Sequence, residues 1–287
     1  MGQLSRGIAD VVTLPSPSPG FIGEGHTAVH VLAGRTFAET DPFIMLADDR
    51  VDITPGKRAG AAHPHAGFEI ATFVVEGEAR DRDEGLLRTG DVLWMTAGSG
   101  VVHNEDVEPR GKLRILQLWA TLPSASRWVA PRFTHVPHDE APIRREPGVE
   151  ARVYSGTSGS VHASAHTYLP ITLVDVRLAP NAVFEQELPA SYNAFLYPLE
   201  GEFVVDGNTP QRLSTGQLGW LEFGGSSTTA RLTGGKNGSR VMLYAGERQG
   251  VPIFTHGPFV GESRADIVRV TQAYAAGRMP RVSELGR

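Results

Sequence analysis

The chain has 287 residues, a formal net charge of −5 and no cysteine. The negative charge argues against a nucleic-acid-binding surface, and the missing cysteine excludes disulfides, zinc fingers, cysteine-ligated iron–sulfur clusters and cysteine nucleophiles. The length suits one large domain or two domains of about 140 residues. Without a secretory signal or a membrane-length apolar run, we expect a cytoplasmic protein that does not bind a membrane.

Glycine (33 residues) and proline (20 residues) are abundant, and apolar residues rarely recur at helical spacing. This pattern predicts an all-β chain of short strands joined by turns. In the first half we predict strands over 5–12, 27–33, 41–46, 70–75, the residues after the Gly90-Asp91 turn, and 113–122.

The middle of the chain changes character, since residues 131–148 hold four prolines and little periodicity. Such a stretch is typical of a linker. We therefore predict an N-terminal domain over 1–135, a linker over 136–150 and a C-terminal domain over 151–287.

The second half repeats motifs of the first, which indicates two copies of one domain. Residues 73–78 are echoed by 197–202, and residues 89–94 by 215–220.

One helix is predicted near the end of the chain. Ser263 and Asp266 match a capping box, apolar residues then recur at helical spacing, and Gly277 followed by Pro280 ends the pattern. We expect this helix to pack on a sheet.

Two pairs of potential metal ligands have the same spacing. His63 and His65 are separated by one residue, as are His103 and Glu105. Alternate side chains of a strand share a face, so each pair can point into one cavity. If the two strands are neighbours, three imidazoles and one carboxylate converge, which predicts a metal site in the first copy of the domain.

The second copy lacks these ligands. Its equivalents of His63 and His65 are Glu187 and Pro189, and no histidine stands near residues 229 and 231. We expect the C-terminal domain to be structural or to bind a partner.

Imidazoles with one carboxylate and no thiolate suit divalent iron, manganese, cobalt, nickel, copper or zinc. Four protein ligands leave two open positions on an octahedral ion, enough for a chelating substrate or for a substrate with dioxygen. This favours Fe(II) over a structural zinc, whose site would be closed.

Glu69 is the competing carboxylate, and we place it behind the ligands because Glu105 shares a face with His103. Either glutamate could accept a proton from a substrate and so act in catalysis. The remaining seven histidines we interpret as surface or structural residues: His26, His30, His135, His138, His162, His166 and His256.

Three stretches carry a family resemblance, namely residues 63–69, 90–98 and 100–105, and shorter matches follow at 41–43, 117–119, 196–202 and 257–260. Together they resemble the pirins, a bicupin family, over nearly the whole chain. The resemblance implies two tandem double-stranded β-helix (jelly-roll) barrels, to which the predicted short C-terminal helix is added.

The resemblance also implies that only the N-terminal domain holds a metal, commonly iron, on His63, His65, His103 and Glu105. Pirins usually carry a large basic residue where this chain has Ala66. We expect the alanine to remove a cation from the cavity mouth and to widen it.

Two functions follow from the resemblance. Some pirins open the flavonol quercetin with dioxygen and release carbon monoxide, so the chain is interpreted first as a dioxygenase of a small aromatic or enolic substrate. The alternative is a non-enzymatic, iron-dependent module that binds a transcription factor or a metabolic enzyme. Two fused barrels already cover much of each other's surface, so a monomer is compatible with the sequence.

Overall fold

The structure is a computed structural model that describes residues 5–21, 23–52, 60–81, 85–104, 108–109, 111–224 and 226–285. The strands of this part of the chain are, in order, β1 Ile8–Thr13, β2 Ser18–Pro19, β3 His26–His30, β4 Phe43–Val51, β5 Ala62–His65, β6 Phe68–Glu76, β7 Glu78–Asp81, β8 Gly85–Arg88, β9 Val92–Thr96, β10 Val101–Asn104, β11 Glu108–Pro109, β12 Leu113–Thr121, β13 Arg132–Val136, β14 Ile143–Glu146, β15 Val149–Ser155, β16 Thr157–Ser158, β17 Val161–His162, β18 Ile171–Leu178, β19 Val183–Leu188, β20 Tyr192–Val205, β21 Gln211–Ser214, β22 Gln217–Leu221, β23 Thr228–Glu247, β24 Phe254–His256 and β25 Phe259–Gly261.

Helical segments are few. The α-helices are α1, Phe37–Thr40, and α2, Arg264–Ala275, and short 3₁₀ turns lie at Ser124–Ser126 and Val282–Glu284. No helix in the described ranges has the length and apolar character needed to cross a membrane. The predominance of antiparallel strands confirms the predicted all-β class.

Two compact units divide the chain. The N-terminal unit comprises Pro15–Glu140 and Gln249–Arg287, and the C-terminal unit comprises Met1–Leu14 and Ala141–Arg248.

This division differs from the contiguous domains expected from the sequence. Strand β1 pairs with β22, so the first 14 residues fall in the C-terminal unit. In the N-terminal unit, Val260 N–H donates to the Ala66 carbonyl at 2.9 Å. The unpaired backbone groups at the edge of a sheet can pair with a strand from any part of the chain, so domain membership need not follow sequence order.

The expected linker over 136–150 is mostly ordered structure. Strand β14, Ile143–Glu146, lies inside it and pairs antiparallel with β15. Its prolines sit between strands: Pro137 and Pro142 flank a turn between β13 and β14, and Pro147 lies in the tight turn between β14 and β15. Such positions are where proline costs no ladder hydrogen bond.

In the N-terminal unit a seven-stranded antiparallel sheet has the order β13-β9-β6-β12-β4-β3-β2, and β5 and β10 form a separate two-stranded sheet. Side chains alternate between the two faces of each strand, so every second residue of β4 and β12 faces one cavity. The core beside that cavity is apolar and includes Phe68, Ile70, Met95 and Val101.

The C-terminal unit has a nine-stranded sheet in which seven strands follow the path β1-β22-β20-β23-β18-β15-β14. The other two strands branch from it, since β19 pairs with β23 and β21 pairs with β20. Glu187 of β19 lies opposite Thr229 of β23, just as His63 of β5 lies opposite His103 of β10. The repeat inferred from the sequence therefore holds at the level of strand register. Apolar side chains such as Phe184, Leu188, Phe203 and Leu232 occupy the interior of this unit.

Helix α2 begins and ends close to the predicted residues. The Ser263 hydroxyl accepts from Asp266 N–H at 3.2 Å, and the Asp266 carboxylate accepts from Ser263 N–H at 3.1 Å, which completes the capping box. Gly277 follows with φ +66°, the left-handed conformation of a helix terminator. Val270, on the buried side of the helix, is 1% exposed.

Candidate metal centre

Three histidines meet on the two-stranded sheet of β5 and β10. His103 is the register partner of His63, and His65 is the partner of Val101. One ring nitrogen from each of the three histidines lies within 4.8 Å of the other two. The shared face predicted from the i, i+2 spacing is thus present for His63 and His65, and the pairing of the strands adds His103.

The turn after β5 fixes the direction of the histidines. Gly67 has φ +88°, and a Cβ at this position would lie 1.8 Å from the Val260 carbonyl oxygen. Only glycine allows this backbone approach without strain. Ala66 N–H donates to the Pro258 carbonyl at 3.3 Å, so the segment around Pro258 braces the strand that carries His63 and His65.

Arg127 supports the same turn from below and is 1% exposed. Its guanidinium donates to the Gly67 carbonyl at 2.9 Å, the Thr121 hydroxyl at 3.0 Å, the Leu122 carbonyl at 2.9 Å and the Glu262 carboxylate at 2.9 Å. A buried guanidinium is tolerated when its donors are satisfied in this way.

The protonation of the histidines suits a metal. Burial lowers the pKa of His65 well below its ordinary value, and repulsion from His103 and His63 lowers it further, against a weaker opposing effect of the Pro258 backbone. His63 Nδ1 lies 2.9 Å from the Ala61 carbonyl, which can only accept, so Nδ1 carries the proton and Nε2 keeps its lone pair. A second hydrogen bond of this kind commonly orients a metal-bound imidazole.

The spacing of the nitrogens also fits a metal. Nε2 of His63 and Nε2 of His103 are 3.1 Å apart. Two nitrogens bound at right angles to one ion, each about 2.1 Å from it, are separated by about 3.0 Å. The three imidazoles therefore have the chemistry and spacing of a first-row metal site.

Of the two glutamates predicted at the metal site, Glu69 and Glu105, the structure describes only Glu69. Glu69, on β6, is 1% exposed and its Oε1 accepts from the Thr96 hydroxyl at 2.7 Å. It does not belong to the cluster of ligand atoms formed by the described residues. Glu105 lies outside the described residues, so its place as the fourth ligand stays a prediction.

A cavity of about 880 Å³ opens beside the histidines, and His63 and His65 line it. Its apolar wall is formed by Phe21, Ala28, Met45, Ala47, Trp119 and Pro258, and its polar groups include His30, Asp49 and Gln117. The Trp119 ring lies 5.2 Å from His65 and 4.4 Å from Phe68, measured between ring centroids. A mainly apolar cavity with a few converging polar groups is typical of a small-molecule site.

Sequence reasoning missed most of this wall, because only the sheet register brings it together. His26 is buried and its Nε2 lies 2.7 Å from Asp49 Oδ1, and His30 lines the cavity. Neither belongs to the cluster of potential metal ligands among the described residues. The alternation of Met45, Ala47 and Asp49 along one strand is the signal that could have identified the wall.

The expectation for Ala66 was wrong. The side chain is 0% exposed and packs with Phe259, Val270 and Met279 in an apolar cluster. It does not line the cavity, which contradicts the place at the cavity mouth that we expected for it. The sequence showed that Ala66 follows His65, but not that the segment around Phe259 covers it.

Two family models match the chain, Pirin over residues 26–120 and the Pirin C-terminal cupin domain over residues 173–280. A pirin-like protein of Caulobacter vibrioides is 32% identical over 94% of this chain and 99% of its own length. A Pseudomonas aeruginosa protein, named provisionally as a quercetin 2,3-dioxygenase, is 30% identical over 93% of this chain and 97% of its own.

Solved structures agree on the fold. The crystal structure of a quercetin 2,3-dioxygenase from Acinetobacter baumannii superimposes with a TM-score of 0.83 and covers 96% of this chain and 98% of its own, at 24% identity. At that identity the likeness shows the fold alone, and it confirms the bicupin architecture expected from the sequence.

Proposed function

Because the chain belongs to the pirin family, we propose that it is a metal-dependent dioxygenase that opens a flavonol or a similar chelating enolic substrate. One observation carries the proposal: the histidine cluster lies at the wall of a mainly apolar cavity of about 880 Å³. A site of this size and composition takes a small aromatic molecule. The provisional name of the Pseudomonas aeruginosa relative supports the same activity.

The ligands would be His63, His65, His103 and Glu105, and Fe(II) is the proposed ion. Manganese, cobalt, nickel, copper and zinc accept the same donors, so elemental analysis of the purified protein decides between them. When bound, the ion would supply Lewis acidity toward an enolate oxygen and the redox chemistry needed with dioxygen.

The surrounding residues hold the substrate and its proton. Trp119 lines the cavity next to His65, with the buried Phe68 ring packed behind it, which suits stacking of a flat ring on the indole. Glu105 would accept the proton of the chelating hydroxyl, with Glu69 as the alternative acceptor behind the ligands.

Dioxygen uptake by the iron-loaded protein with quercetin tests the proposal. We expect uptake to match quercetin loss and carbon monoxide release, and we expect His103→Ala to lower the rate at least about 100-fold by removing a ligand. The matched control is His162→Ala, which removes an exposed histidine of the C-terminal unit and should leave the rate unchanged. No uptake by a protein shown to hold iron would exclude quercetin as the substrate.

The composition of the C-terminal unit favours a second candidate function. Its core is a large apolar cluster, and the described residues contain no second cluster of metal ligands. It would then provide surface for a protein partner whose affinity follows the oxidation state of the metal. Equal partner affinity for ferrous and ferric protein would exclude this function.

A further inference from the structure

One buried carboxylate in the cavity has no role in the reaction described so far. Asp49 is 5% exposed and its Oδ1 lies 2.7 Å from Nε2 of His26, which is itself 2% exposed. Within the described part of the chain Oδ2 has no hydrogen-bond partner, although Asp49 lines the cavity. Because Oδ2 is not one of the buried atoms that lack a partner, it is accessible from the cavity and can accept a hydrogen bond from a ligand.

Strand geometry places Asp49 at the far end of the cavity from the metal. Met45, Ala47 and Asp49 all line the cavity from β4, and the four-residue step from Met45 to Asp49 covers about 13 Å. The register partner of Met45 is Trp119, whose ring lies 5.2 Å from His65. The Met45 end therefore lies near the histidines and the Asp49 end lies away from them.

Small side chains keep the space between the two ends open. Ala28 is the register partner of Asp49, and Ala47 is the partner of His30. The Phe21 ring lies 5.5 Å from His26 and 6.2 Å from His63, so it covers the stretch between these histidines. An aromatic ring and two alanines in the wall of one cavity make a slot that suits a flat molecule.

We propose that Asp49, held by His26, binds a hydroxyl group on the part of the substrate farthest from the metal and so selects long, flat polyphenols over single-ring chelators. The inference rests on the proposed function for the position of the chelating end. His26 acts as a positioning residue, because its hydrogen bond fixes one carboxylate oxygen and leaves the other for the ligand.

Ligand binding without turnover tests the role of Asp49. We would titrate metal-loaded protein under anaerobic conditions with quercetin, with 3,5,7-trihydroxyflavone, which lacks the phenyl hydroxyls, and with 3,3′,4′-trihydroxyflavone, which lacks the fused-ring hydroxyls. Asp49→Asn should lower the affinity for quercetin about 10- to 100-fold, which is the effect of losing a hydrogen bond to a charged group. The analogue that lacks the contacted hydroxyl should bind wild type and variant equally.

The analogues also control for folding, since a variant with a damaged cavity loses affinity for all three ligands. Asp48→Asn is the matched protein control, because Asp48 lies next to Asp49 on β4 but points away from the cavity toward Arg114. Three results would overturn the inference. They are an equal loss of affinity for all three flavonols in Asp49→Asn, equal quercetin affinity in Asp49→Asn and wild type, and no binding of quercetin to wild type.

The shape of the slot gives a second test. Ala47→Leu should lower the affinity for quercetin more than about 10-fold, because the added methylenes fill the space between the Met45 and Asp49 ends of the cavity. Its metal content and its affinity for 3-hydroxy-2-methyl-4-pyranone, a single-ring chelator, should stay at the wild-type level. Unchanged quercetin affinity in this variant would contradict the slot.

The inference and the proposed function can fail separately. If quercetin binding depends on Asp49 but the protein consumes no dioxygen, the binding role of Asp49 stands and the dioxygenase activity is excluded. Dioxygen uptake with quercetin affinity independent of Asp49 would retain the dioxygenase and exclude the slot.

Discussion

Single residues around the candidate metal centre act mainly through the backbone. Gly67 combines φ +88° with a close backbone neighbour, since a Cβ added here would lie 1.8 Å from the Val260 carbonyl oxygen. Arg127 then donates to the Gly67 carbonyl at 2.9 Å. The geometry of the histidines thus depends on one residue without a side chain and on one with a long, fully buried side chain.

Replacing Gly67 with alanine should destabilise the N-terminal unit and weaken metal binding. The left-handed conformation alone costs an alanine about 1–2 kcal/mol, and the clash with the Val260 carbonyl adds to it. Thermal unfolding and metal titration measure the two effects.

Gly34→Ala is the control for this substitution. Gly34 has a similar φ of +83°, but nothing lies within 4 Å of its added Cβ. It should therefore show the conformational cost without the loss of metal. Equal metal affinity in Gly67→Ala and wild type would contradict the role assigned to the turn.

At the scale of elements, helix α2 braces the strand that carries the histidines. Its Val270 packs with Ala66 and Phe259, and Ala66 directly follows His65. The N-terminus of the helix is held by Ser263 and Asp266. Burial raises the pKa of Asp266, but hydrogen bonds from Arg269, Ser263 and the Glu262 backbone outweigh it, so the pKa is lowered from 3.8.

Removing the Asp266 charge should loosen the helix in a pH-dependent manner. Because the folded-state pKa lies below the unfolded value of 3.8, the stabilisation is present above that pH and is lost as pH falls through the folded pKa. Asp266→Asn should lower the opening free energy of α2 by about 1 kcal/mol at neutral pH. Hydrogen exchange of the α2 amides measures it.

Acid should remove the difference between Asp266→Asn and wild type, since both side chains are then neutral. Solvent screens the pair with Arg269, which is half exposed, so most of the effect belongs to the cap. If the difference in α2 opening free energy between Asp266→Asn and wild type stays constant down to strongly acidic pH, the effect comes from side-chain shape and not from the charge of Asp266.

At the scale of the whole molecule, the two units share the register of the strand pair that carries His63 and Glu187 but differ in the residues on it. The N-terminal unit has a cavity beside a cluster of three histidines, whereas the described residues of the C-terminal unit hold a large apolar core and no such cluster. A ligand that binds only the folded state stabilises the structure that holds its site, and where two units unfold independently that structure is one unit.

Metal should therefore raise the stability of the N-terminal unit alone. At a free metal concentration 1,000 times Kd the expected gain is about 4 kcal/mol. Unfolding followed through Trp119 should shift with metal, unfolding followed through Trp220 should not, and His103→Ala should abolish the shift. Two equal shifts in wild type would contradict a site confined to one unit.

Local patterns in the sequence were enough for the features that depend on neighbours along the chain. The i, i+2 spacing of His63 and His65 determines a shared face in any strand, and the Ser263–Asp266 box determines where α2 begins, because both follow from backbone geometry. The all-β class, the internal repeat and the family also followed from the sequence.

Only the tertiary structure decided what covers each face. His26 and Asp49 are 23 residues apart and meet because β3 pairs with β4, and Ala66 is buried because the segment around Phe259 returns to it. Long-range pairing also explains why Met1–Leu14 belong to the C-terminal unit and Gln249–Arg287 to the N-terminal unit. Periodicity tells which residues share a face, but long-range pairing chooses the partner, and no local pattern records that choice.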